Sequence, residues 1–270
     1  MKDNVRRLRE DINEYCGYDL RGYDIDFSIN AVKREMSYRD ISSFSQFSKS
    51  ILSDELLLDS FIKRHFISVS DMFRDIEPFR IFREQVIPDL KSYPRIRIWS
   101  CGCASGKEVL SLAIILQEEG LYDRTNFYAT DINKKALDEA ASATFSLKEI
   151  IGFTQNYYLS GGREDFRKYY TVNWKNNTVQ FKKSLLENIY FSVHNITSDK
   201  SINEFEVIFC RNVFIYFTHS MQKKSLELVE KSLRKLGYLF LGHSEHIDYK
   251  HINEKIAPVD KINKVYKKIA

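Results

Sequence analysis

Apolar residues recur at helical spacing through the first part of the chain. The stretch SFSQFSKSILSDELLLDSFIKRHF, residues 43–66, places Phe47, Ile51, Leu57 and Phe61 four to six positions apart, with no Gly or Pro. This pattern predicts helical structure over the stretch. Residues 71–90 predict a shorter helix, and Pro94 ends the segment. We therefore expect residues 1–66 to be mainly helical.

After residue 94 the pattern changes to short apolar strands that alternate with helices. RIRIWS, TNFYATDI, NIYFSVHNI, EFEVIFC, YLFLGHS and INKVYKKI are typical of strands. The helices between them are predicted in GKEVLSLAIILQEEG, NKKALDEAASA and SMQKKSLELVEKSLRKLG. Strands separated by helices of this length indicate the α/β class, with a mainly parallel, doubly wound sheet.

The alternation is interrupted over residues 145–188. This stretch is rich in Tyr and contains the turn signals GG and KNN. Thr171–Trp174 and Thr178–Phe181 are predicted to form a hairpin about Asn176 and Asn177. We expect a small antiparallel β insertion here. The predicted organisation is a helical domain over 1–70, a linker helix over 71–94 and an α/β domain over 95–270 that contains the insertion.

The first strand of the α/β region runs into the small-residue loop SCGCASG. A strand, a small-residue loop and a helix let a ligand approach the backbone, and the helix start favours an anion. Lys107 is followed by Glu108, so the loop is not a Walker phosphate loop. One C-x-C without a nearby histidine pair argues against zinc, and no metal is expected. The alternative that this loop is only a tight turn, without a ligand, stays open at this point.

Polar residues follow two of the predicted strands. Asp131 ends TNFYATDI, where a carboxylate can accept hydrogen bonds from both ribose hydroxyls of an adenosine. The alternative is that Asp131 caps the next helix, a position that Asn133 suits equally well. Arg211, Asn212 and Tyr216 follow the strand EFEVIFC, near the rim where doubly wound sheets bind ligands. A purely structural arginine is the alternative for Arg211.

Composition and charge narrow the possible functions. The net charge is +4, without the concentrated basic stripe typical of nucleic-acid binders, so no nucleic acid is expected as a partner. No apolar run approaches the ~18 residues that span a bilayer. The charged start MKDNVRRLRE is unlike a signal peptide. We therefore expect a cytoplasmic protein without membrane insertion.

Six motifs, in order and at compatible spacing, make the chain resemble a known family. They are SVSDMFRDIEPF, RIWSCGCASGKEVLSLAIIL, YATDINKKALDEA, VHNI, FEVIFCRNVFIYF and GYLFLGHSE. The chain is similar to the chemotaxis receptor methyltransferases (CheR), which methylate protein glutamates with S-adenosylmethionine. The resemblance covers nearly all of residues 1–245. It implies that S-adenosylmethionine is the cofactor and S-adenosylhomocysteine the product.

The resemblance also implies partners and site residues. The substrate would be the cytoplasmic domain of a methyl-accepting chemotaxis receptor, which the helical part helps to engage. In some members the β insertion docks on the receptor's C-terminal tail, and we expect a monomer. Arg74 and Tyr216 match the residues nearest the transferred methyl group. The implied cofactor contacts are Ser68, Ser70, Arg74, Glu108, Asp131, Asn195, Ile196, Arg211 and Asn212.

The chain departs from the family pattern at several places, and three of them are at or next to the implied cofactor contacts. Lys107 stands where the family usually has an acid, and Ser68 and Ser70 replace Asn and Thr. We expect altered cofactor affinity with catalysis retained. Three other functions stay open: a non-catalytic module that binds S-adenosylmethionine or a receptor, a methyltransferase for another acceptor, and a nicotinamide-dependent dehydrogenase. The loose glycine spacing argues against the last of these.

Overall fold

The computed structural model describes residues 1–16, 18, 20–66, 70–245 and 254–269. The chain divides into two compact units. The first contains Met1–Val69 and Phe214–Lys224, and the second contains Ser70–Val213 and Ser225–Ala270. The domain bounds suggested by the sequence stay a prediction.

Four helices build the first unit: α1 (Lys2–Cys16), α2 (Ile25–Tyr38), α3 (Phe44–Ser53) and α4 (Glu55–Phe66). The helical stretch predicted over residues 43–66 forms two helices, α3 and α4, because Asp54 interrupts it. Asp54 is extended (φ −133°, ψ 107°), and its Oδ1 accepts hydrogen bonds from the N–H groups of Leu56 and Leu57. An aspartate in this role starts a new helix. The apolar faces meet in a core that includes Val5, Leu8, Val32, Phe47, Ile51, Leu58 and Phe61.

The described chain after residue 70 contains six α-helices and ten strands. The last helix, α10, begins in the first unit and ends in the second. The helices are α5 (Glu77–Ile81), which continues through a π-helical turn (Phe82–Val86) into α6 (Ile87–Leu90), then α7 (Lys107–Glu118), α8 (Lys134–Ser142), α9 (Glu149–Leu159) and α10 (His219–Ser232). The strands are β1 (Ile96–Cys101), β2 (Thr125–Asp131), β3 (Thr144–Ser146), β4 (Tyr170–Asn173), β5 (Thr178–Phe181), β6 (Ile189–Val193), β7 (Phe205–Cys210), β8 (Leu233–Leu241), β9 (Ile256–Asp260) and β10 (Val265–Lys268).

Seven of these strands form one sheet in the order β6-β2-β1-β7-β8-β10-β9. The five strands from β6 to β8 are parallel, and β10 pairs antiparallel with β8 and β9. A second, antiparallel sheet has the order β3-β5-β4. The predicted hairpin is therefore confirmed as β4 and β5. The fold class is α/β, with a mainly parallel sheet and a small antiparallel insertion, as predicted.

The last predicted helix is too long. The pattern predicts a helix through Gly237, but α10 ends at Ser232 and β8 begins at Leu233. Leu236 has a φ of 66°, which is incompatible with a right-handed helix. The strand pairing also shifts register between Phe205 and Val207, opposite this part of β8.

The core of the second unit includes residues of β1, of its neighbours β2 and β7, and of α7. Every residue from Val109 to Leu116 in α7 is buried, which explains why that segment is apolar all round rather than on one face. Phe209 of β7 and Phe240 of β8 stack with ring centroids 4.1 Å apart. Across the described residues, no helix is both long and apolar enough to cross a bilayer.

Candidate cofactor site

The order in which the chain adds strands to the seven-stranded sheet reverses direction beside β1. From β1 the chain moves outward to β2 and β6, and then returns to β7 on the other side of β1. In doubly wound sheets a crevice forms at such a reversal, beyond the carboxyl ends of the strands. The loops after β1, β2 and β7 meet there. Among the predicted site residues, Asp131 ends β2, and Arg211 and Asn212 follow β7.

The small-residue loop after β1 requires glycine at two positions. Gly102 has a φ of 68°, and a Cβ on it would lie 2.6 Å from Cγ2 of Val213. Gly106 has a φ of 79°, and its Cβ would lie 2.8 Å from Cβ of Ala140. The loop therefore packs tightly against its neighbours and leads directly into α7. Burial raises the pKa of the Cys103 thiol well above its usual value, so that this thiol stays protonated.

The side chain of Asp131, at the end of β2, forms a hydrogen bond with the loop after β1. Its Oδ2 accepts a hydrogen bond from the Ala104 N–H at 2.9 Å, and its Oδ1 accepts one from the Asn133 N–H at 2.9 Å. Each carboxylate oxygen has a further lone pair to offer a hydroxyl donor. Asn133 is the residue that caps α8, since its Oδ1 accepts from the N–H groups of Lys135 and Ala136. Asp131 is thus not the helix cap.

Arg211 follows β7 and holds three groups together. Its Nη1 lies 3.3 Å from Oε2 of Glu108, and its Nη2 donates to Oδ2 of Asp75 at 2.6 Å and to the carbonyl of Arg74 at 3.1 Å. The side chain of Arg211 is only 2% exposed. Glu108 also accepts a hydrogen bond from Ser100 Oγ at 2.8 Å. Burial raises the pKa of the Glu108 carboxyl, and Arg211 opposes that shift.

The segment from Ser70 to Asp75 is strained and firmly held. Phe73 and Asp75 have φ angles of 52° and 63°, a region that costs of order 1–3 kcal/mol per residue. The N–H of Phe73 donates to Ser111 Oγ at 3.0 Å. Strain of this kind persists where the surroundings over-determine the backbone. The side chains that bond this segment are Lys107, Ser111, Asn156 and Arg211.

The segment after β6 forms a compact turn. Oδ1 of Asn195 accepts hydrogen bonds from the N–H and the hydroxyl of Thr197, at 2.9 and 2.8 Å. The N–H of Asn195 donates to Asp199. Ile196 is buried. The N–H of His194, one residue earlier, donates to the carbonyl of Asp131 and joins this turn to β2.

Glu245 is a residue of this edge that sequence reasoning missed. Its carboxylate accepts hydrogen bonds from the N–H groups of Gly242, Asn212 and Val213, at 2.6 to 3.0 Å. Asn212 has a φ of 61°, so the carboxylate stabilises an unusual backbone. The only signal in the sequence was an acid two residues after the histidine of LGHSE.

Two of the remaining predicted residues, Tyr216 and Arg74, belong to different units of the chain. Tyr216 belongs to the first unit, where its ring contacts Phe27 with centroids 4.6 Å apart and its carbonyl accepts from the Asp24 N–H. Arg74 belongs to the second unit, with a half-buried side chain whose Nε lies 3.9 Å from Oδ2 of Asp75. Ser68 lies outside the described residues.

Comparison with known proteins identifies the family. Residues 68–262 match the family model described as CheR methyltransferase, SAM binding domain. The chain belongs to the CheR methyltransferase family. A Pseudomonas putida protein called Cher3 is 35% identical over 264 residues, which cover 98% of this chain and 96% of that protein. The chemotaxis protein methyltransferase of Listeria innocua is 33% identical, covering 76% of this chain and 75% of that protein.

The solved structures that match are more distant in sequence. A TehB-like SAM-dependent methyltransferase from Corynebacterium glutamicum is 13% identical with a TM-score of 0.38, covering 70% of this chain and 86% of that one. Membership of the CheR family makes the protein a methyltransferase with S-adenosylmethionine as its cofactor.

The edge of the sheet fits that cofactor. Asp131 offers acceptor lone pairs at the end of β2, as a ribose requires. Asn195 and the buried Ile196 lie in the turn that the His194 N–H joins to β2. Arg211 bonds Glu108 and the carbonyl of Arg74 at the same edge.

Proposed function

We propose that this CheR-family protein methylates glutamate side chains of chemotaxis receptors and forms glutamate methyl esters. The observation that carries the proposal is the match over residues 68–262 to the CheR SAM-binding domain. Relatives named chemotaxis protein methyltransferase, from Listeria innocua and Borreliella burgdorferi, support the choice of substrate. The second of these aligns over 91% of this chain and 89% of its own length.

We assign the binding of the cofactor to residues at the carboxyl edge of the sheet. Asp131 accepts hydrogen bonds from the ribose hydroxyls, and Asn195 and Ile196 flank the adenine. Ser68, Ser70 and Asn212 contribute further contacts. Glu108 and Arg211 hold the loop and the Arg74 segment through their ion pair at 3.3 Å. When bound, S-adenosylmethionine supplies a methyl group that its sulfonium charge already activates.

The acceptor glutamate needs orientation more than a general base. An unperturbed glutamate has a pKa of about 4.3 and is therefore ionised at neutral pH. The guanidinium of Arg74 attracts and orients this carboxylate, for which the planar fork of arginine is well suited. The hydroxyl of Tyr216 donates a hydrogen bond that fixes the acceptor oxygen. Catalysis then comes from alignment and the exclusion of water.

The finer partner assignments belong to the same proposal. The β insertion, strands β3 to β5, is the surface that would receive a receptor's C-terminal tail. The protein would act as a monomer in the cytoplasm, where the methylated part of a receptor lies. These assignments rest on the family resemblance and on the receptor being the substrate.

A methyl-transfer assay tests the proposed function. Membranes that contain a chemotaxis receptor are incubated with the protein and radiolabelled S-adenosylmethionine, and alkali-labile methanol is counted. We expect label with the wild type. Asp131→Asn should give at least roughly tenfold less label, because the substitution removes about one hydrogen bond to the ribose. Asp138→Asn, an exposed aspartate of α8, is the matched control.

The outcomes of this assay separate the functions that the sequence left open. Alkali-stable label would indicate an acceptor other than a carboxyl group. Binding of S-adenosylhomocysteine without any label would indicate a non-catalytic module. Either result would contradict glutamate methylation of receptors.

A further inference from the structure

Lys107 joins the small insertion to the strained segment that contains Arg74. Its Nζ donates to the backbone carbonyl of Ser70 at 3.0 Å and to Oε1 of Glu149 at 2.6 Å. Ser70 opens the Ser70–Asp75 segment, and Glu149 is the first residue of α9. The ammonium group therefore bridges two parts of the chain that are 79 residues apart in sequence and share this one cation.

The surroundings of Lys107 fix the position of its charge. The ammonium nitrogen lies 5.5 Å from the ring centroid of Phe145 and 5.3 Å from that of Phe153. Both rings belong to the packed core of the second unit, and the Lys107 side chain is only 12% exposed. A lysine held between aromatic rings and a carboxylate has few alternative rotamers. This bond to Ser70 is thus fixed more firmly than one from a surface lysine.

Glu149 is held from its other side as well. Its Oε2 accepts a hydrogen bond from the N–H of Ser146 in β3 at 3.0 Å. Burial raises the pKa of the Glu149 carboxyl, but the hydrogen bonds from Lys107 and Ser146 outweigh that effect and lower it. The carboxylate is therefore ionised at neutral pH and attached to the edge of the three-stranded sheet.

The same turn of α7 holds the strained segment a second time. Ser111 Oγ donates a hydrogen bond to the carbonyl of Lys107 at 2.7 Å, and the same Ser111 Oγ accepts one from the N–H of Phe73. Lys107 and Ser111 thus fix both ends of the stretch from Ser70 to Phe73. Arg74 follows immediately, so its direction depends on how this stretch is held.

We propose that Lys107 is a positioning residue for methyl transfer, which sets the backbone of Ser70 and the direction of Arg74 through its bridge to Glu149. The inference rests on the proposed roles of Ser70 and Arg74. Through Glu149, the β3 edge and the start of α9 become part of the support for the cofactor site. The insertion then has a role in the reaction in addition to any role in docking.

Replacement of the cation tests this inference. Lys107→Met keeps the aliphatic stem and removes both hydrogen bonds, and Lys107→Arg keeps a cationic donor. We expect Lys107→Met to raise the Kd of S-adenosylhomocysteine and lower kcat/KM by about tenfold each, the value of one charge-assisted hydrogen bond. Lys107→Arg should recover most of the loss. Calorimetric titration and the methyl-transfer assay supply the two readouts.

Two further variants keep the test independent of folding. Glu149→Gln keeps the bond from Lys107 to Ser70 but removes the ion pair, and we expect a smaller change, of about threefold. Lys267→Met is the matched control, because Lys267 also makes a 2.7 Å ion pair, with Asp89, that contacts no part of the Ser70–Asp75 segment. We expect Lys267→Met to leave both readouts unchanged. Thermal unfolding measures any loss of stability in each variant.

The possible failures are distinguishable. If the wild type binds S-adenosylhomocysteine and methylates receptors, while Lys107→Met does both equally well, the positioning role is wrong and the proposed function stands. If Lys267→Met loses as much as Lys107→Met, the effect is a general loss of stability and the positioning role is again wrong. If the wild type neither binds nor methylates, the proposed function fails and the inference fails with it.

Discussion

The Nη1 of Arg211 faces Oε2 of Glu108 at 3.3 Å across the edge of the sheet, and both side chains are largely buried. The same guanidinium reaches Asp75 with its other terminal nitrogen. One cation therefore satisfies two carboxylates that come from different parts of the chain. Because a buried charge without a partner is costly, this cluster is expected to be sensitive to the loss of any member.

Arg211→Met should destabilise the protein by about 3 kcal/mol, because Glu108 would remain buried without its cation. Urea denaturation monitored by circular dichroism measures the change. Lys91→Met is the control, since Lys91 and Glu119 form a 3.1 Å pair at the surface. Loss of that pair should cost at most about 1 kcal/mol. Equal effects of the two substitutions would contradict the role given to Arg211.

The pKa of Asp131 predicts a pH dependence of stability. Burial raises the pKa of this carboxyl, against the hydrogen bonds from Asn133 and Ala104. The ionised group therefore costs folding free energy above its raised pKa, and the cost disappears as the pH falls to the unfolded value of about 3.9. Asp131→Asn lacks this ionisation. Relative to the wild type, its free energy of unfolding should increase as the pH rises through the raised pKa.

Urea titrations over a range of about pH 4 to 8 measure that difference. Asp138→Asn, with its exposed side chain, serves as the control and should show no such trend relative to the wild type. A constant difference between Asp131→Asn and the wild type over the whole range would mean that burial of Asp131 has no such consequence.

Alanine substitutions at two glycines separate the energetic cost of backbone strain from the cost of a steric clash. Gly102 and Gly120 have nearly equal φ angles, 68° and 67°, but a Cβ would meet Val213 at 2.6 Å only at Gly102. Each change to alanine should cost about 1–2 kcal/mol for the left-handed backbone. Gly102→Ala should cost a further 1–3 kcal/mol, roughly, because Val213 must move.

Calorimetric titration with S-adenosylhomocysteine distinguishes these two glycine variants in function. We expect weaker binding in Gly102→Ala and unchanged binding in Gly120→Ala, because only the first alters the loop after β1. If both variants bind as the wild type does, the loop after β1 is not part of the cofactor site.

Tyr216→Phe isolates the hydroxyl group from the ring. The ring contact with Phe27 and the hydrogen bond from the Asp24 N–H to the Tyr216 carbonyl do not need the hydroxyl. We expect the free energy of unfolding to change by less than about 1 kcal/mol. Turnover should fall roughly tenfold if the hydroxyl orients the acceptor. Tyr15→Phe, at an exposed position of α1, is the control. Unchanged turnover in Tyr216→Phe would remove that role.

Periodicity predicted the fold class well. The end of β2 at Asp131 and the turn into β5 both follow from local patterns, because burial and turn residues leave a direct mark on a sequence. The break at Asp54 was missed because the apolar spacing continues across it, although an aspartate is a common first residue of a helix.

The partners of the site residues were harder to predict. Glu245 bonds the N–H groups of Asn212 and Val213 across 32 to 33 residues, and Asp75 bonds Arg211 across 136. Nothing in a local pattern indicates which buried carboxylate meets which donor, because that depends on how the elements pack. For the same reason the bonds of Arg211 to Glu108, Arg74 and Asp75 were not predicted from the sequence.

The long separation between the strained segment and its supports has a consequence for synthesis of the chain. Ser111, Asn156 and Arg211 follow the segment by about 40 to 140 residues. On the ribosome, residues 70–75 emerge well before any of these supports, and a left-handed backbone at Phe73 is unfavourable without them. The segment can therefore reach its final shape only after β7 has been translated. A truncated chain that stops before Arg211 would lack the hydrogen bonds that this residue donates to the Arg74 carbonyl and to Asp75.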